Sequence, residues 1–176
     1  KIGRIKFFKS AAQPHRGSCY KDLAEYDGFE SQSVSVDTTS VKDLCDEFGV
    51  PFYLKVDIDG CELPVVESLF SLQRKPQYIS IEIPKNSYAG IFSWLYVAGY
   101  RNFQLINQSN NEVINSFHPS GSFGDDLPKN NWITIEELLS RYVKFRELRD
   151  VDHENLTIGW LDLHASLAVH QAVLPD

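Results

Sequence analysis

The segment Phe52-Tyr53-Leu54-Lys55-Val56-Asp57-Ile58 constrains this chain more than any other. It is nearly continuous in apolar and β-branched residues, the pattern of a strand buried on both faces. It runs into Asp59-Gly60 and then a helix over Glu62 to Leu72, with Val65, Val66, Leu69 and Leu72 on one face at helical spacing. Pro64 fits the first turn, where a missing N–H costs little. A strand that feeds such a helix predicts an α/β fold with parallel crossovers.

The rest of the chain extends that pattern. Ile5 to Phe8 reads as a strand, and Gln13 to Ser35 as a polar loop with turns at Pro14, Gly17 and Gly28. Thr39 or Ser40 caps a helix over Val41 to Phe48, with Leu44 and Phe48 at i, i+4 spacing, ended by Gly49 and Pro51. Gln77 to Ile83 is a second buried strand, closed by Pro84. A helix over Ala89 to Ala98 turns Ile91, Phe92, Leu95 and Tyr96 inward, and Gly99 caps it. Arg101 to Ile106 is a third strand. The Asn-, Ser- and Gly-rich loop from Asn107 to Asn131 has the length of a functional loop. Thr134 to Phe145 is a helix with Glu136 and Glu137 in its first turn, and Thr157 to Leu163 is the last strand. Trp94, Tyr96, Tyr100 and Phe103 are expected in the core.

Size and charge narrow the function. The 176 residues suffice for one domain, taken as 1–176, and the 43% hydrophobic content is that of a folded protein. A net charge of −7 argues against nucleic acid as a partner. No segment approaches the roughly 20 apolar residues of a membrane helix. Cys19, Cys45 and Cys61 are odd in number and widely spaced, which favours reduced thiols in a cytoplasmic enzyme over a disulfide framework or a zinc site. The chain opens at Lys1 and contains no Met, so a piece of a longer protein is expected.

Ligands of open α/β sheets sit beyond the carboxyl ends of the strands, which places Asp57, Asp59 and Glu82 near a cleft. Asp57 and Asp59 are two residues apart, and a persisting strand would put them on one side. Two such carboxylates hold a divalent cation, or repel until one serves as a general base. Lys55 lies on the same side, and Glu62 opens the following helix. The plain alternative is a solvated acidic turn, but a buried strand aiming several charges at one end is costly without partners. An EF-hand is excluded, because Gly60 comes too early after Asp57. Asp57-Ile58-Asp59-Gly60 is similar to the Asp-x-Asp-Gly turn of haloacid-dehalogenase phosphatases. Against that stand Cys61, where a hydroxyl residue is usual, and the lack of an apolar strand before Gly124-Asp125-Asp126. A glycosyltransferase Asp-x-Asp site rests on three residues only.

A wider likeness takes in Ser40-Val41-Lys42-Asp43-Leu44, Val50 through Glu62, and Val65-Val66-Glu67-Ser68-Leu69. It continues at Ile81-Glu82, at Gly121-Ser122-Phe123-Gly124-Asp125-Asp126-Leu127-Pro128 with Trp132, and at Trp160 to Ala165. This ordered set resembles the FkbM-type methyltransferases that use S-adenosylmethionine. The chain departs at Lys42, where an acid is usual, and at Asp59, where Glu is commoner. The resemblance implies a Rossmann-like class I methyltransferase sheet, here lacking its first two strands and their glycine-rich turn, with Ile5 to Phe8 as the third strand. It implies methyl transfer to a hydroxyl of a small molecule or glycan. On it Asp57 takes the proton or ligates a cation, with Lys55 and Asp59 tuning it. Ser10 and Ala11 border the cofactor, Glu62 fixes the turn from the helix start, and Glu62, Glu82 and His164 face the substrate. The alternatives are the phosphatase and a non-catalytic fragment.

Overall fold

Alternation of polar and apolar residues along four strands sorts them onto the two faces of one sheet. The computed structural model describes residues 3–12, 17–25, 28–83, 87–107, 131–151 and 161–167. The strands are β4 (Tyr53–Val56), β5 (Tyr78–Glu82), β6 (Tyr100–Asn107) and β7 (Leu161–Leu167), in the order β4-β5-β7-β6. β4 and β5 are parallel, and β7 enters antiparallel between β5 and β6.

Register fixes the faces. Lys55 pairs with Ser80, Ser80 with His164 and His164 with Gln104, so these four share one side. Glu82, Asp162, Ser166 and Asn102 lie on that side too. The other side carries Leu54, Val56, Ile79, Ile81, Leu163, Ala165, Phe103 and Leu105. The expectation of burial on both faces holds in β5 and β7, where Ser80, Asp162 and His164 are as buried as Ile79 and Leu163, but one of the two faces is polar: Ile79-Ser80-Ile81-Glu82 and Leu161-Asp162-Leu163-His164 alternate strictly, with period 2.

The apolar face packs against helices. Val66 and Leu69 of α3 (Glu62–Leu69), Ile91, Phe92 and Leu95 of α4 (Tyr88–Ala98), and Leu138 and Tyr142 of α5 (Ile135–Val151) join Ile79, Ile81, Phe103 and Leu163 in one core. Each fully buried Leu or Ile stabilises by roughly 1.5–3 kcal/mol relative to exposure. Gly99 ends α4 at φ 109, a conformation that favours glycine. Tyr96, expected inward, is exposed and carries the Arg101 guanidinium 4.1 Å above its ring. Tyr100 and Phe103 are core, as expected.

A second sheet stands apart from the first, in the order β2-β1-β3. β1 (Gly3–Ser10) pairs antiparallel with β3 (Ser31–Thr38) from Gly3↔Thr38 to Ser10↔Ser31, and β2 (Gly17–Ser18) adds to its other edge. Ile5 to Phe8 is thus not a strand of the sheet that carries β4. Ser31 to Ser35, expected in a loop, is strand, because β1 supplies a partner for its backbone. A short helix, α1 (Lys21–Ala24), follows β2.

The next helix, α2 (Val41–Phe48), starts at Ser40, whose hydroxyl accepts from the Asp43 N–H at 2.9 Å. Its inward residues are Val41 and Cys45, whereas Leu44 and Phe48 are exposed. Positions 108–130 of the expected loop, including Gly124-Asp125-Asp126, and positions 157–160 of the expected last strand lie outside the described residues.

Candidate active site

Strand β4 stops at Val56, and the chain turns through Asp57-Ile58-Asp59-Gly60 into α3. Asp59 holds φ 49 and Gly60 φ 107, both in the left-handed region. Glu62, expected to fix the turn from the helix start and to face a substrate, does the first. It is 2% exposed and accepts from the Ile58 N–H at 3.2 Å and the Gly60 N–H at 3.0 Å. The turn's amides are thereby satisfied by a buried carboxylate. Glu62→Ala strands those donors, and we expect a loss of roughly 1–3 kcal/mol in urea unfolding. Gly60 at φ 107 strains any side chain, and a Cβ there would also displace the Leu23 Cδ1 that lies 2.6 Å from its position.

The turn delivers its carboxylates to one place. Asp57, Asp59 and Glu82 each bring an oxygen within 4.8 Å of the others. Asp57 and Asp59 meet through the turn, not through a continued strand. Glu82 ends β5, the parallel neighbour of β4, and therefore arrives at the same end. Burial first, then the Asp57 charge and a hydrogen bond with Asp57, push the Glu82 carboxyl up to about 8. At neutral pH the pair accordingly holds one proton, with Glu82 donating to Asp57.

Lys55 closes the cluster. Its Nζ lies 2.6 Å from Asp162 and 3.7 Å from Asp57. Asp162 is 1% exposed, and in β7 it pairs with Glu82. It was not singled out from the sequence; the signal was its place in the alternating run Leu161-Asp162-Leu163-His164.

The remaining expected site residues lie elsewhere. His164 is 2% exposed between Ser80 and Gln104, and burial lowers it to about 4, so it is neutral at pH 7. Ser10 pairs with Ser31 in the small sheet, and the Ala11 N–H donates to the Glu30 carbonyl at 2.9 Å. The small sheet does reach the turn, through the Ser18 hydroxyl, which donates to the Asp59 carbonyl at 2.5 Å.

These groups give a definite pH dependence. Glu82 has its folded pKa raised, so the folded state holds an extra proton between about 4.5 and 8, and stability falls as pH rises through that window. His164 is lowered, so its contribution rises with pH between about 4 and 6.5. The two oppose each other below 6.5, and above it Glu82 acts alone. Melting temperature is expected to fall from pH 6.5 to 8, and Glu82→Gln to flatten that fall. An unchanged slope in the variant would remove Glu82 from the titration.

Fold and site together define a mixed α/β domain with an acid–base cluster at the carboxyl ends of its parallel strands. The chain belongs to the methyltransferase FkbM domain family, which matches residues 5–102, more than half of its length. It is a methyltransferase domain. The match takes in Lys55, Asp57, Asp59, Glu62 and Glu82, whereas Asp162 and His164 lie beyond it. No curated protein and no solved structure gives a match. Membership sets the phosphatase reading of Asp57-Ile58-Asp59-Gly60 aside. Among the described residues no helix is long and apolar enough to cross a membrane.

Proposed function

We propose that this domain serves methyl transfer to a hydroxyl oxygen of a small molecule or glycan, with Asp57 taking the hydroxyl proton. The observation that carries the reading is the family match over the strand end where Asp57 stands beside a proton-holding Glu82. A methyltransferase family implies S-adenosylmethionine as the methyl donor. Among the described residues nothing builds a glycine cradle for it. Gly60, the glycine at the end of β4, is filled by Tyr20 and Leu23 of this chain. The chain's own groups therefore act on the acceptor.

Asp57 is half exposed, so a hydroxyl can approach it. The Lys55 ammonium stabilises the oxygen from which the proton leaves. Glu82, neutral at pH 7, donates to Asp57 and fixes its carboxylate. A divalent cation drawn to Asp57, Asp59 and Glu82 would displace that proton, and the two modes exclude each other at neutral pH. A Rossmann-like sheet completed by further strands, and a cytoplasmic setting, belong to the same reading.

The test is calorimetric titration of the full-length protein with S-adenosylhomocysteine, followed by transfer of labelled methyl to a panel of hydroxylated small molecules and glycans. Saturable binding and labelled ether products support the proposal. Binding with label only on nitrogen or sulfur acceptors overturns the hydroxyl target, and absence of binding overturns the donor.

A further inference from the structure

The small sheet and the site turn meet along a seam that brings two sulfurs together. Cys19 follows β2, and Cys61 is the N-cap residue of α3. Distant in sequence, they are neighbours across this seam: burial first, and then Cys19 beside it, push the Cys61 thiol up to about 12. The neighbouring residues hold the same seam. Ser18 donates to the Asp59 carbonyl at 2.5 Å, the Tyr20 N–H donates to the Ser18 hydroxyl at 3.0 Å, and Gly60 sits against Tyr20 and Leu23. Both cysteines are free and partly exposed, so a small reagent reaches them. Cys45, on α2, packs partly buried against the core.

We infer that Cys19 and Cys61 form an oxidisable dithiol, a modification site that takes a small hydroperoxide and closes to a disulfide. Proximity is the property that matters: Ser18 and Tyr20 on either side of Cys19 both touch the Asp59-Gly60 pair that precedes Cys61, and a sulfenic acid formed on Cys19 is captured by a neighbouring thiol before it oxidises further. The Cys19 sulfur attacks one peroxide oxygen and the O–O bond breaks. Cys19 is left as the sulfenic acid, and the departing oxygen takes the Cys19 proton and leaves as water. The Cys61 sulfur then attacks the Cys19 sulfur. An S–S bond forms, the S–O bond breaks, and the hydroxyl leaves as a second water with the Cys61 proton. Two thiols and one hydrogen peroxide give one disulfide and two waters, the sulfurs supplying the two electrons. The bond ties the small sheet to the start of α3, beside the turn that carries Asp59. Thiols restore the open form by exchange.

The experiment is peroxide treatment of the full chain, then peptide mapping without reduction, thiol titration and a thermal melt. We expect one intramolecular Cys19–Cys61 cross-link, Cys45 still titratable, and a melting temperature higher by roughly 5–15 °C, reversed by dithiothreitol. Cys19→Ser and Cys61→Ser are each expected to abolish the cross-link and the shift, and either variant alone suffices if the other fails to fold. Sulfinic or sulfonic acid at Cys19 or Cys61 without a cross-link, or a disulfide that involves Cys45 or a second molecule, overturns the inference. None of these readouts requires methyl transfer, so the outcome is independent of the proposed activity.

Discussion

Asp57→Asn is expected to lower methyl transfer by about 10²–10⁴-fold, the usual contribution of a positioned general base. The amide keeps the shape of the side chain and removes the proton acceptor. The fold should tolerate the change, because Asp57 is half exposed. The amide oxygen still accepts from the protonated Glu82, so the melting temperature at neutral pH should hold. The Glu82 carboxyl should then fall back toward the usual carboxylate range, since the Asp57 charge and hydrogen bond follow burial among the causes of its elevation. Two measurements separate the roles: turnover against pH, and carboxyl titration by NMR. A variant with near-normal turnover would take Asp57 out of the proton transfer, even if the Glu82 shift followed as described.

The largest expected loss of stability comes from Lys55→Met. Asp162 is 1% exposed and its Oδ2 lies 2.6 Å from the Lys55 ammonium. Methionine keeps the volume and leaves a buried carboxylate without its cation. Breaking such a pair costs roughly 3–5 kcal/mol, and the partial exposure of Lys55 argues for the lower end. For a chain of this size that is a fall in melting temperature of roughly 6–12 °C. The double variant Lys55→Met, Asp162→Asn should recover most of it, because the uncompensated charge is gone. Equal melting of the single and double variants would show that Asp162 is not held as a buried anion. Turnover should fall in both, because each removes the ammonium 3.7 Å from Asp57.

Much of the fold is legible because local pattern and local geometry agree. Ser40 before Val41, Pro64 in the first turn of α3 and Gly99 after α4 mark helix ends through groups only a few residues apart. Leu44 and Phe48 show the limit of such reading. Their spacing is helical, yet the face that meets the core is that of Val41 and Cys45, and only the packing partner decides which stripe is buried. The strands show another limit. Tyr78-Ile79-Ser80-Ile81-Glu82 reads as a buried strand and is one, but its period of 2 makes one of its two covered faces polar. β3, mostly Ser, Thr and other polar residues, has no apolar signature, and pairing with β1 alone makes it a strand.

The sequence by itself determined that a strand runs into the Asp57-Ile58-Asp59-Gly60 turn, that a helix starts at Glu62, and that Glu82 lies at the end of the next strand. Each follows from interactions among near neighbours along the chain. The tertiary structure alone decided that β1 leaves the main sheet and that β7 runs antiparallel between β5 and β6. From that topology come the Asp162 partner of Lys55, the burial of His164 and the meeting of Cys19 with Cys61. The physical reason is range. Hydrophobic period and capping act over a few residues, whereas a charge's partner and a thiol's neighbour depend on which distant backbones hydrogen-bond, and no local pattern encodes that choice.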